Sequence, residues 1–297
     1  MLKFILTISL FILFQHTLFA QMEHVKTRIE TVLKSKEADV GVAVLDLESE
    51  DFMSISGDSR YPLQSVYKFH IALAVLNAVD KKKFGLNQEI FISEKDLSPD
   101  VYSPLQEKYP RGNVYLPLSK IIEYTLCKSD NNGCDILIKL VGGTQVVEDY
   151  IHSLGINDFS IKANAVALLE DWDLQFKNWT TPDAAVKALK MAFKEGILSS
   201  TSHKFFWNCL EEIQTGKNRL KGKLPKGTIV AHKTGSSGPN PEGITAAIND
   251  IGIVTLPNGK HYAISVFISR SEENKVVNEG IIADISKIVW DYFASKN

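Results

Sequence analysis

The sequence predicts an α/β protein of the α+β kind: an antiparallel sheet flanked by helices, plus an all-helical lobe. Three observations carry this. Strand-like runs occur only near the two ends of the chain. The stretch 65–210 between them reads as helices and loops. The tetrapeptide Pro257-Asn258-Gly259-Lys260 separates the last two strand-like runs and is a strong hairpin signal.

In order along the chain, Val25, Ile29, Val32 and Leu33 recur at helical spacing within 23–38. The run 39–47 is β-rich (Val40-Gly41-Val42-Ala43-Val44-Leu45), and 52–55 is a candidate hairpin partner. Strongly apolar helices are expected over 65–79 and 119–140, and another over 182–193. Strands return at 228–233, 245–256 and 261–269, and a helix over 271–293 closes the chain. Antiparallel strands pair with near neighbours, so the two ends are expected to build one sheet. Residues 21–59 and 211–297 form a discontinuous α/β lobe on this reading, and 60–210 the helical lobe. A cleft between two such lobes is a natural ligand site.

Composition narrows the classes. With 297 residues, 44% hydrophobic, 23% charged and a formal charge of −2, the chain is neither disordered nor basic enough for a nucleic-acid partner. No internal apolar run approaches the roughly 20 residues of a membrane span. The first twenty residues combine Lys3, an apolar run from Phe4 to Phe14 and Ala20, which is the pattern of a signal peptide. No cysteine follows Ala20, so lipid attachment there is not expected. The expectation is a periplasmic or secreted monomer with no membrane contact after cleavage. Of the three cysteines, Cys127 and Cys134 lie seven apart in a helical-looking stretch. Their Cα atoms would sit roughly 10 Å apart, beyond disulfide reach. Cys209 can pair with one of them, although buried inert thiols are the preferred reading.

The seven histidines are scattered without metal-ligand spacing, so neither a zinc site nor another cofactor is expected. Val141-Gly142-Gly143 lacks the lysine of a P-loop and reads as a turn. Asn178-Trp179-Thr180 fits a glycosylation acceptor that is common by chance.

Three short motifs carry chemistry. In Ser65-Val66-Tyr67-Lys68 the hydroxyl and the amine share one helix face at i and i+3, and the helix start favours a developing negative charge. That makes an activated nucleophile without histidine. Ser129-Asp130-Asn131 interrupts an apolar helical pattern. It supplies a second hydroxyl for proton transfer and an amide. Lys233-Thr234-Gly235 ends an apolar strand. Its cation and hydroxyl can grip a carboxylate, Gly235 is read as allowing a ligand backbone close, and Ser236 can offer an N–H to an oxyanion. Each motif in isolation has a bland reading as a cap, a helix break or a turn.

Together, and in this order, the three are the signature of serine β-lactamases and penicillin-binding proteins. The mature chain resembles a class A serine β-lactamase, most of all the PER-like extended-spectrum branch. Further stretches carry the likeness: Gln64 and His70 flanking the first motif, Tyr102-Ser103-Pro104, Leu140-Val141-Gly142-Gly143, Asn178-Trp179-Thr180 and Arg219-Leu220-Lys221-Gly222. The resemblance implies that Ser65 is acylated and Lys68 is its proton partner, and that Ser129 passes a proton to the lactam nitrogen. It implies that Asn131 binds the side-chain amide of a β-lactam antibiotic, and that Lys233, Thr234 and Arg219 bind its carboxylate. The N–H groups of Ser65 and Ser236 would form the oxyanion hole, and Tyr102 would line the entrance.

One position departs from the pattern. The family places a glutamate thirteen residues before the Asn or Asp that closes a loop here ending at Asn178; in this chain that position is Ala165. Leu169 occupies the position that ordinarily helps to hold the hydrolytic water. Either Glu170 or Asp171 on a rebuilt loop replaces the base, or acylation survives and deacylation slows. Two alternatives therefore stand beside a hydrolase: a β-lactam-binding acyl trap or sensor with little turnover, and a D-alanyl-D-alanine peptidase-like protein. The PER-like stretches weigh against the last.

Overall fold

The computed structural model describes residues 22–194 and 196–296, apart from the side chain of Glu170. Residues 1–20, read above as a signal peptide, lie outside them. Helix α1 (22–33) leads into the hairpin β1 (Asp39–Asp46) and β2 (Phe52–Ile55), whose turn is closed by the Glu48 and Ser49 N–H groups on the Asp46 carboxylate. A two-residue strand β3 (Tyr61–Pro62) and a 3-10 turn (Gln64–Val66) then feed α2 (Tyr67–Asp80). The middle of the chain runs through β4 (Glu89–Ile92), α3 (Pro104–Lys108), β5 (Val114–Pro117), α4 (Leu118–Cys127), α5 (Asn131–Val141), α6 (Thr144–Ser153), β6 (Phe159–Ser160), α7 (Ala167–Glu170), β7 (Trp179–Thr180), α8 (Pro182–Lys194) and α9 (Ser200–Glu211). The chain returns through β8 (Val230–Ser236), β9 (Thr245–Thr255) and β10 (His261–Ser271), and ends in α10 (Lys275–Ser295).

The two ends do share one sheet. Its order is β2-β1-β10-β9-β8, every neighbour antiparallel, with β1 from the start of the chain paired to β10 from its end. The hairpin expected at Pro257–Lys260 joins β9 to β10, and Gly259 supplies the left-handed turn residue at φ 81°. Both faces of the sheet are covered, which is why β1, β9 and β10 are buried along most of their length rather than at alternate residues. Ile29 of α1 and Ile281, Ile285 and Val289 of α10 pack on one face against Val42, Ile264 and Val266. The other face contributes Ala43, Ala263 and Phe267 to a larger core shared with the helices, and α8 lies directly on it. At the centre of that core, α2 buries ten consecutive residues from Tyr67 to Leu76. A helix buried all round is anchored by its surroundings, with each buried Leu, Ile or Val contributing about 1.5–3 kcal/mol.

Two expectations are corrected. The middle stretch, read as helices and loops, also carries β4 paired with β5 and a small sheet in the order β3-β7-β6. The single helix over 119–140 is two helices, α4 and α5, broken at Lys128-Ser129-Asp130. Ser129 adopts φ 58°, which an α-helix cannot accommodate. The buried Asp130 then caps α5. Its carboxylate accepts the Gly133 N–H at 2.7 Å, the Leu105 N–H at 2.6 Å and the Ser103 hydroxyl at 2.9–3.0 Å. Because the helix breaks, the straight-helix spacing expected between Cys127 and Cys134 does not apply; all three cysteines are free thiols.

Asp130 thus ties α3, the break and α5 together. Asp130→Ala leaves buried donors unpaired and is expected to cost about 3 kcal/mol, read as a lowered urea midpoint.

Candidate active site

Ser65 occupies the middle of the 3-10 turn that enters α2, and Gln64 before it is held at φ 46°. The turn is fixed from outside. The Asn249 side-chain amide on β9 donates to the carbonyls of Pro62 at 2.7 Å and Leu63 at 3.2 Å. A Cβ at Gly235 would lie 2.5 Å from the Leu63 carbonyl oxygen. The glycine of the third motif therefore makes room for the chain's own nucleophile turn.

Lys68 lies in the first turn of α2 and is fully buried. Its Nζ reaches Ser65 Oγ at 3.1 Å, the Ser129 carbonyl at 2.7 Å and Asn131 Oδ1 at 2.6 Å. The last two groups can only accept, so they fix two N–H bonds of the amine. The third direction faces a hydroxyl that can either accept or donate. A neutral amine at this point offers its lone pair to the Ser65 proton. Burial lowers the Lys68 pKa toward that form, opposed by Cys134, Asp130 and Asp135.

The left-handed break delivers Ser129 to the same place. Its carbonyl binds Lys68, and its hydroxyl accepts from Lys233 Nζ at 3.0 Å. The structure keeps Lys233-Thr234-Gly235 inside β8, in register with Ile251, Asp250 and Asn249, rather than in a terminal turn. Lys233 is fully buried too and also donates to the Thr234 carbonyl at 2.9 Å. Burial pushes its pKa well down, and the neighbouring Lys68 adds to this.

The remaining predicted residues fall at graded distances from this centre. Asn131 begins α5 beside Lys68, and its N–H donates to the Tyr102 carbonyl at 3.1 Å. Tyr102 itself projects outward, 57% exposed. The Thr234 hydroxyl is 2.6 Å from that of Thr215. Arg219 lies beneath the surface, 3% exposed, donating to the carbonyls of Gly235 at 3.0 Å and Asn249 at 2.9 Å and paired with Glu279 at 3.3 Å. It meets the exposed face of β8 through the Ser236 hydroxyl, at 2.7 Å.

Ser65, Gln64, Asn131, Ala165, Leu169 and Ser236 line one cleft of about 420 Å³. A larger cleft of about 810 Å³ between α1 and the β1–β2 edge contains none of the three motifs.

The loop over the cleft floor is clamped at its ends. The buried Asn178 side chain accepts the N–H groups of Lys162 at 2.7 Å and Ala163 at 2.9 Å, and donates to the Ala163 carbonyl at 2.7 Å. Gln64 Nε2 donates to Gln175 Oε1 at 2.5 Å, joining the nucleophile turn to the loop. Ala165 and Val166 donate their N–H groups to the two oxygens of Asp135, at 2.7 and 3.1 Å. Asp135 was not among the sequence candidates. The available signal was its place one turn after Asn131 on the same face of α5. Burial raises its pKa, and the two amide hydrogen bonds oppose the rise. The candidate replacement Glu170 ends α7, and its side chain is outside those described. Asp171 is an exposed cap, accepting the Asp173 N–H at 2.9 Å.

A hydroxyl, a desolvated amine that can take its proton, and a second hydroxyl held by a second amine define an active-serine hydrolase of the class A type. The chain matches the beta-lactamase enzyme family over residues 24–293. It is 47% identical to the beta-lactamase VEB-1 of Pseudomonas aeruginosa over 279 residues, 93% of each chain. It is 37% identical to the extended-spectrum beta-lactamase PER-1 of the same organism, covering 93% of this chain and 90% of that one. The crystal structure of the TLA-1 extended spectrum beta-lactamase superposes with a TM-score of 0.90 at 51% identity, over 92% of this chain and 99% of that one. The chain belongs to the beta-lactamase enzyme family, as a class A hydrolase of PER-like type.

With the neutral Lys68 amine as proton acceptor, the acylation rate is expected to rise as pH climbs through its depressed pKa. Stopped-flow acylation by a chromogenic β-lactam should give an inflection below lysine's ordinary 10.5. Lys68→Met should remove that inflection and slow acylation roughly 10²–10⁴-fold.

Proposed function

We propose that this protein opens β-lactams through an ester on Ser65 and releases that ester slowly. The Ser65 oxygen attacks the lactam carbonyl while its proton moves to the neutral Lys68 amine. The N–H groups of Ser65 and Ser236 receive the oxyanion. As the ring C–N bond breaks, the Ser129 hydroxyl gives its proton to the departing nitrogen and is reprotonated from the adjacent lysines. The antibiotic's carboxylate is held by Lys233, Thr234 and Ser236, with Arg219 polarising the Ser236 hydroxyl from behind. Asn131 takes the side-chain amide, and Tyr102 borders the entrance. Export to the periplasm or beyond fits the signal-like residues 1–20.

The observation that carries slow release is the methyl group of Ala165, which lines the same cleft as Ser65. Hydrolysis of the ester needs a base to take a proton from water. Loss of a general base costs typically 10²–10⁴-fold. Among the described side chains, Asp135 and Asp171 are otherwise engaged: both Asp135 oxygens hold the loop amides, and Asp171 caps the next turn. This reading extends the hydrolase toward a trap, whose turnover is limited by deacylation.

With nitrocefin, the expected trace is a burst of one equivalent followed by a slow steady state, and a mass adduct that maps to Ser65. Ala165→Glu is expected to accelerate loss of that adduct by roughly 10²–10⁴-fold while leaving the burst rate nearly unchanged. Fast linear turnover by the unaltered protein, or an adduct lifetime indifferent to the glutamate, would overturn the proposal.

A further inference from the structure

Away from the cleft, two thiols meet between helices. Cys127 is the last residue of α4, and Cys209 lies in α9, which packs against α4. Each side chain is the other's neighbour across this packing, with Cys209 inside the core cluster and Cys127 against it. The pair is asymmetric. Cys127 is half-buried and opens onto a pocket of about 380 Å³ lined by Lys120, Glu123, Tyr124, Lys128 and Glu212. Cys209 is 4% exposed and sits behind it in the core.

We propose that Cys127 and Cys209 are a disulfide-exchange site, with Cys127 as the attacking thiol and Cys209 as the resolving one. The neighbouring Cys209 lowers the Cys127 pKa; burial and the two acidic neighbours Glu212 and Glu123 oppose this, and Lys120 assists it. The same neighbourhood, with burial, raises the Cys209 pKa. An accessible thiolate before a protected thiol is the arrangement that exchange chemistry requires. The third cysteine is unsuited. Cys134 is fully buried, donates to the Tyr67 hydroxyl at 3.4 Å, and its thiol is pushed up to about 12 by burial.

The oxidant is a small-molecule disulfide. The Cys127 thiolate attacks one of its sulfurs, forming a mixed disulfide and expelling the first donor thiolate. Cys209 gives up its proton to that thiolate and attacks Cys127 Sγ, releasing the second donor thiolate, which takes a proton from solvent. Overall, two protein thiols and one donor disulfide become one protein disulfide and two donor thiols. The new bond would tie the end of α4, two residues before Ser129, to α9.

The test uses the full chain equilibrated in oxidised or reduced glutathione. Thiol titration in denaturant should fall from the three cysteines of the sequence to one on oxidation. A non-reduced peptide map should join Cys127 to Cys209, and thermal unfolding should rise by roughly 5–15 °C. Cys209→Ser should stall as a stable glutathione adduct on Cys127, and Cys134→Ser should still cross-link. Three persistent free thiols in the unaltered chain, or a cross-link or adduct that maps to Cys134, would overturn the assignment. The map of the unaltered chain decides even if a variant fails to fold.

Discussion

Two lysine amines buried beside one serine are the constraint on which this structure turns. Taking an ammonium out of water is costly, and placing a second beside it adds repulsion, so both amines are driven toward the neutral form. Lys68 is held by the Ser129 carbonyl and the Asn131 amide oxygen, and Lys233 by the Ser129 hydroxyl and the Thr234 carbonyl. No carboxylate oxygen accepts from either amine among the described hydrogen bonds. A direct carboxylate partner would favour the charged form and remove the proton acceptor that Ser65 needs. The site is thus stabilised by dipoles that can anchor an amine in either protonation state.

That arrangement demands backbone features that ordinary helices and strands do not provide. Ser129 can show its carbonyl to one lysine and its hydroxyl to another because it sits at positive φ between two helices. Asp130, Ser103 and Leu105 stabilise the break with buried hydrogen bonds. Ser65 stands on a tight turn because Asn249 binds the carbonyls before it and Gly235 leaves no Cβ in the way. Arg219 fastens the back of the same strand. Residues outside the cleft lining therefore help to fix the groups around Ser65.

The loop beneath the cleft is built with equal care, which bears on the role of Ala165. Asn178 closes it, Gln64 ties it to the nucleophile turn, and Asp135 holds two consecutive amides of it. An alanine at the centre of a disordered loop would say little about mechanism. Here it occupies a defined position in the lining of the reactive cleft, which is where the proposed slow release locates its effect.

Much of this was legible in the amino-acid order because it rests on local rules. Apolar runs, the Pro257–Lys260 turn and the positions of strands near both ends determine an antiparallel sheet with helices on it, and three short motifs name Ser65, Lys68, Ser129 and Lys233. The missing carboxylate at 165 was also a matter of counting. What the order of residues could not decide was contact across space. Apolar spacing resumes after Ser129-Asp130-Asn131 and does not register a single left-handed residue, so one helix is expected over 119–140 where there are two. That Gly235 leaves room for the Leu63 carbonyl shows only in the fold. Asp135 and the meeting of Cys127 with Cys209 depend on which elements pack together. Side-chain partners more than a hundred residues apart, such as Lys233 with Ser129 or Gln64 with Gln175, exist only once the sheet and the helices have closed on each other.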